Sequence, residues 1–218
     1  IRGFLSPSVE GHAGELVYGT LEGVKVVGVS GRVHFYEVAD QPFNEGILRV
    51  VLPVHALAEA GVGNYFVTNA SGGLNPNYKV GDVMALRSHI NLIPNALLGR
   101  HHTLNIAQGE RSGNRVDRFL PMNGAYDPEY LALLEKAGQA HSDFFHTGVY
   151  LGVTGPTYET EGECIAFRDG FKADVVGMST TPEVIVARSR GMRCVGLSGI
   201  SNAIAEDGTN ATNHAEVQ

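Results

Sequence analysis

The chain has no tryptophan, only two cysteines, and just 18% charged residues among its 218. Each scarcity excludes something. Cys164 and Cys194 are too few and too isolated for a disulfide scaffold or a cysteine-rich zinc module. They read as buried reduced thiols, which fits a reducing compartment. No apolar run reaches the ~18 residues of a spanning helix, and no signal-peptide pattern opens the sequence. A formal net charge of −7 argues against a broad nucleic-acid surface, so any anion must be held by local donors. The Gly-Lys-Ser/Thr end of a nucleotide phosphate loop and the Gly-x-Gly-x-x-Gly dinucleotide fingerprint are both absent. No metal-ligand cluster is evident. The expectation is a soluble, cytoplasmic protein with no metal, no organic cofactor, and no membrane or nucleic-acid partner.

What the chain does contain is a 43% hydrophobic fraction and 28 glycines against 9 prolines. That supports one sizeable core with many tight turns. Strand-like apolar runs lie at Val24–Ser30, Tyr65–Asn69, Val83–Ile90, Val149–Thr154, Val175–Met178 and Cys194–Ser198. Most are nearly continuous, as in strands covered on both faces. Helical patterns lie between them at Ile47–Ala60, Pro128–Ala140, Thr160–Asp169 and Pro182–Arg190. Pro53 predicts a kink or a late start in the first. Thr160 and Glu163 form a capping-box pattern, and Pro182 suits a first helical turn. Strands alternating with helices predict a single α/β domain with a mixed, largely parallel central sheet flanked by helices. The polar stretch Asn95 to Arg118 shows no period and reads as a loop, with a lid or interface arm as the sharper alternative.

Polar residues collect at the ends of the apolar runs. Tyr158 and Glu159 follow one, Met178 and Ser179 a second, Ser201 and Asn202 a third. Ligands of open α/β sheets sit beyond the carboxyl ends of strands, so this placement predicts a site. After Val24–Ser30, alternation along an extended Gly31–Glu37 segment puts Arg32, His34 and Tyr36 on one side, about 7 Å apart in steps of two. A guanidinium fork and an imidazole suit a phosphate, and a tyrosine hydroxyl suits a sugar oxygen. In Thr68–Leu74, small residues and paired glycines after a strand predict exposed backbone N–H groups and close ligand approach. Glu159 can accept from the N1–H and amino group of a 6-oxopurine, and Asn202 can donate and accept. Met178 offers a polarizable apolar contact. Taken singly, each also reads as an ordinary core or surface residue.

Together these segments resemble the trimeric purine nucleoside phosphorylase family. The resemblance runs through GHAG at Gly11–Gly14, GRVHFYE, VTNASGGLNP, GDVMALRSHIN, GPTYETEGE, VVGMSTTPEVIVAR, GISN, and His214-Ala215-Glu216-Val217. It implies phosphorolysis of inosine, guanosine and their deoxy forms to a free purine and (deoxy)ribose 1-phosphate, with orthophosphate as co-substrate. It implies that Arg32, His34, the Ala70 backbone and Ser179 bind phosphate. Tyr36, Met178 and His214 then hold the ribose, while Tyr158, Glu159 and Asn202 hold the base. Asn202, Glu159 and His34 are the implied catalytic set, and the implied assembly is a homotrimer.

Some features depart from the family pattern. The family's Gly-Ser-Gly-Leu-Gly loop before GHAG is not in the sequence, so a domain without its N-terminal strand, phosphate loop and C-terminal end is expected over 1–218. Ser201 stands where threonine is usual, and Tyr158 where phenylalanine is common. No phenylalanine near Arg115 matches the one that subunits lend each other. Methylthioadenosine phosphorylases, the rival enzymes, usually carry aspartate at the position of Asn202. A non-catalytic nucleoside-binding protein is the rival from another class.

Overall fold

A computed structural model describes residues 4–98 and 119–210. Five strands close on one another: β3 (Asn64–Gly73), β4 (Val83–Asn91), β5 (Phe145–Gly152), β6 (Val175–Gly177) and β7 (Arg193–Ala203). They form a barrel in the order β3-β6-β5-β4-β7. The β3/β7, β4/β5 and β5/β6 pairs are parallel, and the β3/β6 and β4/β7 pairs antiparallel. The sheet is therefore mixed and largely parallel, as expected. Two antiparallel joints of two and three residue pairs close it, a feature the apolar runs do not announce.

The run at Val24–Ser30 is corrected. It forms β2, which among the described residues pairs only with β1 (Glu15–Leu21), in a separate antiparallel hairpin. Glu22 and Gly23 take φ of 48° and 79°, the positive pair that a two-residue turn of matching twist needs. Val17, Tyr18, Leu21 and Val24 are exposed. The valine-rich run signals β-propensity, which says nothing about what covers the strand. Thr68–Leu74 needs a second correction. Ala70 to Gly73 continue β3, with a bulge between Ser71 and Gly72, and do not form a loop after it.

Among the described residues, four α-helices accompany the barrel: α1 (Phe43–Glu59), α2 (Pro128–Gly138), α3 (Glu161–Ile165) and α4 (Thr181–Ser189). The first starts four residues before the expected Ile47 and carries Pro53 inside it. Asp127 caps α2 by accepting from the Glu129 and Tyr130 amides. Thr160 and Glu163 make the expected reciprocal cap on α3. This helix then widens into a π turn at Ala166–Gly170. Nearly every residue of α4 is buried, as expected of a helix wedged between other elements. It packs against α1, β4 and β7. Val184 and Val186 are fully buried there beside Val51, Val54, Met84 and Tyr150. Each apolar side chain so buried contributes about 1.5–3 kcal/mol. A smaller core of Leu74, Leu151, Cys164, Phe167, Val176 and Ile204 lies under α3. Both cysteines are buried and unpaired. Among the described residues, no helix is long and apolar enough to cross a membrane.

Candidate active site

Four of the sequence-marked residues meet where the segment after β2 faces the start of α4. Arg32, His34, Met178 and Ser179 line one depression, together with Thr180, Pro182 and Glu183. The Gly31–Glu37 reading needs a correction: residues Phe35–Glu37 form a tight helical turn, so the chain is not extended there. His34 still faces Tyr36, because the turn stacks their rings at 5.1 Å. His12 stacks on the other side of His34 at 5.2 Å, and its Nδ1 lies 2.8 Å from the Arg32 carbonyl. The sequence marked GHAG as a motif without giving His12 a task.

Hydrogen bonding fixes the orientation of His34. Its amide and its Nδ1 both meet Glu37 Oε1, at 2.6 and 3.1 Å. A carboxylate only accepts, so Nδ1 carries the proton. Burial pushes the His34 pKa down, with Glu37 opposing and Arg32 assisting. Partial burial acts to raise the Glu37 pKa, but hydrogen bonds from Ser8 and His34 outweigh it and hold the carboxyl below its usual range. The imidazole is therefore neutral at pH 7, leaving Nε2 to accept a proton or hydrogen bond.

Arg32 is anchored at two points. Its Nε meets Glu183 at 3.1–3.2 Å, and its Nη2 donates to the Thr68 carbonyl at 2.7 Å. Burial works to lower the Arg32 pKa, but the Glu183 carboxylate more than offsets it and the charge is secure. Two of five guanidinium N–H donors are thus committed, and three remain for a ligand.

Ser179 is aimed by an unusual turn. Thr180 has φ 69° and ψ −52°, and the Thr181 amide donates to the Ser179 carbonyl at 2.7 Å. This is the three-residue turn of positive φ, which is rare and strained for a β-branched residue. The Ser179 amide donates to the Tyr150 hydroxyl at 3.2 Å, and its own hydroxyl lies 3.1 Å from Thr180 Oγ1.

From Thr180 a polar chain runs beneath the sheet toward Asn202. Asn69 Nδ2 donates to Thr180 Oγ1 at 2.9 Å, Asn69 Oδ1 accepts from Ser198 at 2.6 Å, and Ser198 meets Ser71 at 2.6 Å. Ser201 then bonds the Ser71 carbonyl and Asn202 Oδ1, at 3.2 and 3.0 Å. Asn202 is buried and also donates to Asn210 at 3.3 Å. Gly72 lies against it: a Cβ there would stand 3.1 Å from Asn202 Nδ2. Gly73 makes similar room for Ile200. The paired glycines thus accommodate side chains of β7, where the sequence suggested a ligand. Ala70 itself is exposed, beside Asn69.

Tyr36 and Met178 meet over Gly155, which has φ 62°; a Cβ there would lie 3.0 Å from the Tyr36 ring and collide with the Met178 sulfur. Tyr158 is near enough to Tyr36 to influence its phenol. Glu159 is half-buried just ahead of α3, and burial raises its pKa. No side-chain hydrogen bond joins it to Asn202 among the described residues. His214 lies outside the described residues, as does 99–118 of the loop expected over Asn95–Arg118. Residues that the sequence reading passed over are Asn69, Tyr65, Thr180 and Glu183. The Thr180-x-x-Glu183 spacing was a visible signal.

The closed mixed sheet agrees with the comparison to known proteins. The chain belongs to the phosphorylase superfamily, whose model matches residues 5–218, and within it to the purine nucleoside phosphorylase family of pentosyltransferases. It is 42% identical over 214 residues to purine nucleoside phosphorylase 1 of Bacillus subtilis, covering 96% of this chain and 72% of the relative. With the Bos taurus purine nucleoside phosphorylase it shares 41% over 224 residues, 100% and 72% of the two chains. The Schistosoma mansoni enzyme in complex with inosine superposes with a TM-score of 0.83 at 35% identity, covering 100% of this chain and 74% of that one. Its guanosine and adenosine complexes give 0.82 and 0.80.

Proposed function

We propose that the protein phosphorolyses 6-oxopurine nucleosides, inosine and guanosine and their deoxy forms, to the purine and (deoxy)ribose 1-phosphate. The reading is supported by the depression that Arg32, His34 and Ser179 line together, by the buried amide of Asn202, and by the purine nucleoside phosphorylase relatives. Orthophosphate is the co-substrate, and the chemistry calls on no metal or organic cofactor. Arg32, His34, Ser179 and the Ala70 backbone bind phosphate. Tyr36, Met178 and His214 hold the ribose, with Tyr158 against the base.

Breaking the C1′–N9 bond leaves positive character on the sugar and negative charge on the departing purine. Phosphate attacks C1′ and balances the first. Asn202, placed at N7, stabilises the second as it develops, which lowers the barrier because the interaction is stronger in the transition state than before it. Its Oδ1 accepts from Ser201 and one Nδ2 hydrogen goes to Asn210, which leaves the second Nδ2 hydrogen to donate to the base. Glu159 accepts the N1–H of a 6-oxopurine. Adenine offers an acceptor at N1 and leaves a half-buried carboxylate unpaired, which costs about 1–3 kcal/mol or more.

The Schistosoma enzyme has been crystallised with adenosine as well as inosine, so a bound complex by itself does not decide specificity, and turnover is the test. Inosine and guanosine are expected to release free base only with phosphate present, far faster than adenosine or methylthioadenosine. Equal rates on adenosine and inosine sink the specificity. Binding without phosphate-dependent release sinks the enzyme reading. A cytoplasmic homotrimer is the assembly and location that go with this family reading, and sedimentation velocity tests the trimer.

A further inference from the structure

Glu183 has no place in the phosphate, ribose and base sets, yet three parts of the site meet on it. It is the third residue of α4 and is 6% exposed. Its Oε1 accepts from the Tyr65 hydroxyl at 3.2 Å, and Oε2 from the Thr180 amide at 2.9 Å. Arg32 Nε lies within 3.2 Å of Oε1 and 3.1 Å of Oε2. One carboxylate therefore holds the guanidinium, the strained turn carrying Ser179, and a hydroxyl from β3.

The charge balance makes this arrangement informative. Glu183 cancels the formal charge of Arg32, the cation nearest the depression. If net charge governed phosphate binding, this carboxylate would weaken it. Geometry points the other way. Arginine retains several rotatable bonds, and a planar fork grips an oxyanion well only when its plane is fixed. A threonine held at positive φ costs on the order of 1–3 kcal/mol and persists only where surrounding groups over-determine it. Glu183 takes the Thr180 amide while Asn69 takes its hydroxyl.

We propose that Glu183 is a positioning residue for the phosphate subsite, locking the Arg32 fork and the Ser179 turn into one shared geometry. The inference rests on the assignment of Arg32 and Ser179 to phosphate made above.

The test is Glu183→Gln, which keeps the shape, removes the charge and turns an N–H₂ toward groups that donate. The phosphate KM is expected to rise roughly tenfold or more while the inosine KM stays within about twofold. An unchanged or lower phosphate KM overturns the proposal, the lower value showing that charge outweighs geometry. Tyr65→Phe leaves both charges and removes one restraint on the carboxylate; a smaller rise, roughly two- to fivefold, is expected. It also decides the matter if the first variant does not fold, with no rise counting against the proposal. The rise in melting temperature on adding inorganic phosphate alone, without nucleoside, is expected to shrink in both variants, and an undiminished shift overturns the proposal. Wild-type protein that fails to cleave inosine with phosphate defeats the functional reading, and the phosphate melting shift then judges Glu183 by itself.

Discussion

His55 makes the protein acid-labile in a window that can be worked out. It lies in α1, is 8% exposed, and neither ring nitrogen has a hydrogen-bond partner among the described residues. Burial, assisted by Arg190 and opposed by Glu59, pushes its pKa from 6.5 down to about 4. A depressed histidine pKa means that the unfolded chain takes up a proton before the folded one does. Stability is therefore intact above pH 6.5 and falls as the pH drops from there toward 4. The slope is roughly 1.4 kcal/mol per pH unit for one such group, or about 3 kcal/mol over the whole window. His89, also pushed by burial to about 4, adds a similar amount. Their sum rivals the roughly 5–15 kcal/mol stability of a typical domain, so cooperative unfolding before pH 4 is expected. Urea titrations at several pH values between 7 and 4.5, on wild type and His55→Leu, provide the assay. The variant is expected to lose roughly 1.4 kcal/mol per pH unit less. At pH 7 it should be no less stable, since two unpaired polar atoms leave the interior. Equal slopes in the two proteins would refute the argument.

Three other outcomes are expected. Asn202→Ala should lower kcat with inosine roughly 10²- to 10³-fold, with the phosphate KM little changed; near-normal turnover removes Asn202 from the leaving-group role. Gly155→Ala places a Cβ against Tyr36 and Met178 at a backbone φ of 62°. It should destabilise by at least about 1–2 kcal/mol and raise the inosine KM more than the phosphate KM, read by melting curves and initial rates. Asn69→Ala removes one hydrogen-bond partner from each of the buried Thr180 and Ser198 hydroxyls. A loss of about 1–3 kcal/mol in urea unfolding is expected, and a change under 0.5 kcal/mol would show that water replaces the amide.

The barrel strands were legible because each carries an apolar run, nearly unbroken where the strand is buried, as at Val175 and Val176 of β6. Their ends were less so. β7 extends five residues past the expected Ser198 to Ala203, since the polar Ser201 and Asn202 break the apolar pattern. β1 was passed over, and β2 was placed in the wrong sheet, because solvent and core faces of a valine-rich hairpin look alike in one dimension. Arg32, His34 and Ser179 were visible in order along the chain. The groups that hold them were not: Glu183 lies 151 residues from Arg32, and Asn69 lies 111 from Thr180. No local period records such meetings.

Those separations carry a consequence for how competence arises during synthesis. The strand bearing Asn69 zips against one that emerges from the ribosome more than a hundred residues later, since Asn69 pairs with Ser198. Long-range parallel pairing of this kind is slow and pays its loop-closure entropy before any reward. A nascent chain halted before β7 thus holds Arg32, His34, Ser179 and the Glu183 carboxylate, but lacks the strand that β3 pairs with and the Ser198 hydroxyl that donates to Asn69. Ligand capture and the last topological step of folding should switch on together.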